Sequence, residues 1–128
     1  MLLFINTSDF NNLTLILQEG AMVRLFVKSV AFNENYKTNQ FLQDFLKESK
    51  VSPKDLTKIL VCSGPGSFTG IRVGVSLAQA LGFALGIPVI AIPKNKVPED
   101  VRKLDKIKGG KSLSLNYGQQ PNITKSKK

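Results

Sequence analysis

Between Cys62 and Gly74 the chain reads Cys-Ser-Gly-Pro-Gly-Ser-Phe-Thr-Gly-Ile-Arg-Val-Gly, its densest run of glycines and hydroxyls. The apolar residues before it, Lys58 to Cys62, have the length and β-branched content of a buried strand. The segment after it, to Gly86, is long, apolar and free of proline, which suits a helix. A glycine-rich turn between strand and helix aims backbone N–H groups and the positive end of a helix dipole at whatever lies in front. Gly64, Gly66, Ser67 and Thr69 therefore form a candidate phosphate cradle. The lysine of a Walker A loop is absent and the spacing is not GxGxxG, so neither nucleotide motif is supported. Ser67 lacks a base to make it a nucleophile, because the chain has no histidine and no lysine at a fixed spacing from it. Cys62 closes a buried strand and reads as a small core residue. A tight structural turn and an anion site are both compatible with these residues.

Composition removes further classes. The absence of histidine excludes His-based acid–base chemistry and His metal sites, and the single cysteine can complete neither a disulfide nor a zinc site. A single domain in a reducing compartment is expected from 128 residues with one cysteine. The formal charge of +9 is unevenly placed. Residues 1–93 hold eight Lys/Arg against six Asp/Glu, whereas residues 94–128 hold ten against three. Val73 to Ile92 is charge-free and as long as a membrane-spanning helix, but Gly86-Ile87-Pro88 breaks it, so a soluble, cytoplasmic protein is expected.

The elements that must position the loop follow from the hydrophobic pattern. Strands are expected at 2–7, 13–17 and 22–27, joined by short connections that favour an antiparallel meander. A helix over 38–48 carries Phe41, Leu42, Phe45 and Leu46 on one stripe, and Ser52-Pro53 starts a short helical turn. Strand 58–62, helix 69–85 and strand 88–92 complete the series. The order predicts an α/β fold: a single ribonuclease-H-like lobe with a mixed five-stranded sheet and helices packed on it. Residues 1–93 make the lobe, and 94–128 read as a basic, mostly extended or disordered tail.

Along helix 69–85, Gly70, Gly74, Ala78, Gly82 and Gly86 recur every fourth residue on one ridge, which implies close approach of something to the backbone. Arg72, Ser76 and Gln79 form the polar stripe, and both remaining sides are apolar. A helix apolar on two sides packs on its own sheet and on something else. Helix 38–48 and a partner protein's helix are the two candidates for that second neighbour.

The run Gly64 to Gly74, continuing into Leu81 to Ile90, resembles the signature of the TsaB family of bacterial tRNA threonylcarbamoyladenosine biosynthesis proteins, within the actin/Hsp70-like ATPase superfamily. Leu3 to Ser8 is similar to the family's first strand and turn, although Asn6-Thr7 stands where the family has Asp-Thr. Helix 38–48 and Ser52 to Leu56 fall where the family has a helix and a short acidic turn, so the resemblance covers about residues 2–93. It implies an actin-like ATPase fold and a non-catalytic subunit, not an enzyme. The subunit docks on TsaD, which transfers threonylcarbamoyl to adenosine 37 of ANN-decoding tRNAs, and TsaE is a third partner. Docking through the first-lobe helices implies contacts from Phe41, Phe45, Arg72, Gly74, Val75, Ala78, Gln79 and Gly82.

No resident cofactor or metal is implied; ATP or ADP at the partner interface is the alternative. The chain alone could pair as a homodimer, with tRNA contact indirect and no membrane role. Family members have two lobes, whereas this chain has the pattern of one. The weak similarity of Tyr117 to Thr124 to the family's C-terminal end reads as a natural short form with the second lobe deleted. Two other readings remain beside the scaffold: a small nucleotide- or phosphate-binding domain using Gly64 to Thr69, and an RNA-binding accessory using the Lys-rich tail.

Overall fold

A computed structural model describes residues 1–9, 12–29, 37–107 and 111–113. Among these residues six strands form one sheet: β1 (Leu2–Asn6), β2 (Asn12–Glu19), β3 (Met22–Ser29), β4 (Lys58–Cys62), β5 (Val89–Ile92) and β6 (Lys111–Leu113). Two helices pack on it, α1 (Thr38–Glu48) and α2 (Phe68–Leu85). The sheet order is β3-β2-β1-β4-β5-β6. The β1–β2–β3 meander is antiparallel, β1–β4–β5 is parallel, and β6 returns antiparallel to β5. This is the expected mixed sheet of a ribonuclease-H-like lobe, with a sixth strand added at the edge.

Both faces of the central strands are covered, which is why β1 and β4 are apolar at nearly every position instead of alternating. Leu3, Ile5, Leu15, Ile59 and Val61 point to the helices, where Leu42, Phe45, Leu46 and Ala78 meet them. Leu2, Phe4, Ile16, Leu60, Cys62 and Ile92 point to the opposite face and pack around Leu104. Helical caps follow local chemistry. The Ser67 hydroxyl accepts from the Gly70 N–H at the start of α2, and Gly86 ends the helix in the left-handed region (φ 68°). A Cβ on Gly86 would meet nothing within 4 Å, so its backbone conformation alone calls for glycine. Gly86 is thus a cap and not part of the close-approach ridge.

The expected extended tail is corrected over its first part. Lys94–Lys96 and Val101–Lys106 form 3-10 turns, β6 follows, and Leu104 is fully buried. Val101, Leu104 and Ile107 recur every third residue, the period of a 3-10 helix, and all three pack against the second sheet face. Residues 94–107 are therefore a strap across that face. The remainder of the expected tail, 114–128 with Tyr117 to Thr124, lies outside the described residues. By length and composition α2 is apolar enough to cross a membrane (mean hydropathy 1.4), and here one side of it is seated on the sheet.

Candidate docking face and glycine loop

The glycine loop is built against the end of β1. The Ser67 N–H donates to the Ser8 carbonyl at 2.7 Å, and the Thr7 hydroxyl donates to the Gly70 carbonyl. A Cβ on Gly66 would lie 2.1 Å from the Ser8 carbonyl oxygen, and one on Gly70 the same distance from that of Thr7. Gly64 adopts φ 92°, and its carbonyl accepts from the Lys94 N–H at 2.8 Å. Asn6 folds over its own turn, its side-chain oxygen accepting from the Ser8 N–H at 2.9 Å and the Ser8 hydroxyl at 2.7 Å. The buried Ser8 hydroxyl also lies 3.5 Å from Cys62 Sγ. Lys94 bridges to Asp9 at 2.7 Å, and this hydrogen bond and the carboxylate's charge hold the lysine above its ordinary pKa.

Of the four candidate cradle residues, Gly64 and Ser67 are buried and engaged with the chain, while Gly66 and Thr69 are exposed. The Ser67 N–H and the Gly70 carbonyl go into holding α2 against the end of β1. Asn6 and Ser8 satisfy each other locally.

The ridge on α2 faces inward. Gly70, Gly74, Ala78 and Gly82 are the buried residues of that helix. A Cβ on Gly74 would lie 2.2 Å from the Thr7 hydroxyl oxygen, and one on Gly82 would lie 2.2 Å from a Val89 methyl. The ridge lets α2 sit directly on β1 and β5. This corrects the expected docking set: Gly74, Ala78 and Gly82 are covered by the chain's own sheet and offer no surface. Phe45 is likewise buried, its ring 5.6 Å from that of Phe26. Phe41 is half-buried beneath the Lys28 ammonium, 5.6 Å from its ring. Val75 and Gln79 are half-buried at the flanks, and Arg72 alone of the set is exposed.

The open side of α2 lies opposite the ridge. Phe68 is 73% exposed and Phe83 56%, with Arg72, Ser76 and Ala80 exposed between them and Ala84 exposed just beyond. At 100° per residue these positions span about half of the helix circumference. The Arg72 guanidinium rests 5.7 Å from the Phe68 ring. α1 reaches only the flank at Leu77 and Leu81, where Leu42, Leu46 and Val51 line a groove of ≈ 470 Å³. Helix 38–48 therefore leaves the outer face of α2 uncovered. Sequence reasoning missed Phe68 because the helix was expected to start at 69, which left that ring in the loop, and Phe83 because it fell on an apolar side whose neighbour the pattern leaves open. The signal available was their angular position opposite the glycines.

Residues 32–97, just over half of the chain, match the family model "TsaD: tRNA N6-adenosine threonylcarbamoyltransferase". TsaB of Bacillus subtilis (strain 168) is 33% identical over 91 residues, which is 71% of this chain and 40% of that protein. The chain belongs to the TsaB family. Escherichia coli (strain K12) TsaB is 39% identical over 51 residues, 40% of this chain and 22% of its own length. Among solved structures, YeaZ from Pseudomonas aeruginosa superposes with a TM-score of 0.69 at 26% identity, over 75% of this chain and 45% of YeaZ. Thermus thermophilus RuvC, at 13% identity and TM-score 0.50, shares the fold. The matched region spans less than half the length of the TsaB relatives.

Proposed function

We propose that this chain is a non-catalytic scaffold in tRNA threonylcarbamoyladenosine biosynthesis, docking on TsaD and activating it for threonylcarbamoyl transfer to adenosine 37 of ANN-decoding tRNAs. TsaE joins the larger complex. The carrying observation is the outer face of α2: an aromatic at each end, small residues between them, and an apolar groove alongside. Small residues let a partner helix approach closely, and exposed aromatics supply the anchors typical of interface centres. A non-catalytic role is supported by the fate of the groups that could have reacted. The Ser67 hydroxyl caps α2, the Thr7 hydroxyl holds the Gly70 carbonyl, and Lys94 is paired with Asp9. Because the Ser67 N–H and hydroxyl and the Gly64 carbonyl are already taken up by the chain itself, we place any ATP or ADP at the TsaD interface and not inside this lobe.

Co-expression with the cognate TsaD tests the proposal. Full-length chain should co-elute with TsaD and support threonylcarbamoylation of a tRNA transcript. Phe83→Asp and Ala80→Arg, both on the open face, should weaken the complex at least tenfold, about 1.4 kcal/mol. The unfolding free energy of Ala80→Arg should stay within about 0.5 kcal/mol of wild type, as for an ordinary surface substitution. Wild-type affinity in both variants, or no complex with the unaltered chain, would overturn it.

A further inference from the structure

The backbone of the strap is pinned over the second sheet face. Its apolar residues are turned inward: Val97, Val101, Leu104 and Ile107 pack on the sheet. Gln18, 2% exposed on β2, anchors it from below. The Gln18 amide nitrogen donates to the Gly20 carbonyl at 3.0 Å and to the Arg102 carbonyl, while its oxygen accepts from the Asp105 N–H at 3.1 Å. A period of three then places Lys103 and Lys106 on a common outward ridge. Lys96 lies exposed on the preceding 3-10 turn.

Two strap cations are already matched, Lys94 by Asp9 and Arg102 by Asp100. Lys96, Lys103 and Lys106 make no ion pair among the described residues, and each side chain is solvent-exposed. In register across the sheet, the row Val23, Gln18, Leu2, Lys58 puts a further lysine on this same face two strands from Gln18. Beyond the strap the sequence adds five lysines and no acid.

We propose that the strap is a docking surface for the phosphate backbone of RNA, on the side of the sheet opposite the α2 face. The choice of RNA rests on the proposed role in tRNA modification; the polyanion chemistry rests on the strap. Solvent-exposed lysines on a packed platform bind phosphates as point charges and release the counterions condensed on the nucleic acid. An anionic membrane would also attract lysines, but a membrane-surface segment turns its apolar residues toward the lipid. This strap turns them toward its own core.

The experiment is binding of the isolated full chain to a tRNA transcript with an ANN anticodon, read by fluorescence anisotropy across a sodium chloride series. Wild type should bind with an affinity that falls as salt rises. Lys96→Gln, Lys103→Gln and Lys106→Gln combined should weaken binding more than tenfold at about 0.1 M salt and flatten the log–log salt slope by about two to three. An unchanged melting temperature excludes unfolding as the cause. Phe83→Asp should keep full RNA affinity. No binding by wild type at low salt, an unchanged slope in the triple variant, or tighter binding to phosphatidylserine vesicles than to tRNA would each overturn the strap proposal. Absence of RNA binding by the unaltered chain, with its TsaD co-elution intact, sinks this inference alone. RNA binding without TsaD co-elution sinks the scaffold reading alone.

Discussion

Thr7 is the residue on which the joint between sheet and helix turns. Its hydroxyl donates to Gly70 and occupies the space that a side chain at Gly74 would need. In an exposed helix, glycine to alanine gains about 1 kcal/mol. Here the sign should reverse, with Gly74→Ala costing about 1–3 kcal/mol in urea unfolding because the added methyl overpacks a closed contact. Pairing it with Thr7→Ala should recover part of that loss, with a coupling of at least about 0.5 kcal/mol. Additive effects would mean the two residues do not share this space. The spacing of Gly70, Gly74 and Gly82 made a close approach legible in the sequence. It did not reveal the neighbour, because α2 is apolar on both sides and periodicity alone does not say which side meets the sheet.

Among the elements, the strap was least legible. A search at periods of 3.6 and 2 passes over Val101, Leu104 and Ile107, whose period is 3, and the surrounding lysines made the segment look like a solvated tail. Gln18 was equally hidden, since one polar residue in an apolar strand carries no mark of the backbone groups it will meet 84 and 87 residues later. Gln18→Leu should strand the Arg102 carbonyl and the Asp105 N–H and cost about 2–3 kcal/mol. Limited proteolysis should then cut first within 98–107, and an unchanged cleavage pattern would show that the amide does not hold the strap. The strap's start has a pH dependence of definite sign. The Lys94 pKa is raised by its hydrogen bond to Asp9, so the pair stabilises the fold below the ordinary lysine value of 10.5 and the contribution is lost as pH rises through the folded value. Asp100 is held below its ordinary 3.8 by hydrogen bonds from Arg102, so its contribution is present above that value and lost as pH falls through the depressed one. For Lys94, half-exposed, the effect is at most about 1 kcal/mol. The urea-unfolding difference between wild type and Asp9→Asn should close at alkaline pH, and a gap that persists there would remove the lysine from the account.

At the scale of the whole molecule, one sheet separates two surfaces of different chemistry. The helix side presents aromatic and small residues on α2; the strap side presents lysines over a second core. The sheet itself was largely legible, because strands buried on both faces announce themselves as unbroken apolar runs. β6 was not, since three residues, Lys-Ser-Leu, have neither the length nor the pattern of a strand and are fixed by pairing with β5. The strap that covers the second face constrains how the chain can change in length. In a helix of three residues per turn, inserting or deleting one residue after Val101 rotates everything downstream by about 120°. That would carry Leu104 out of the core and turn a lysine or an aspartate into its place. Between Asp100 and Ile107, this chain can lengthen or shorten only in threes.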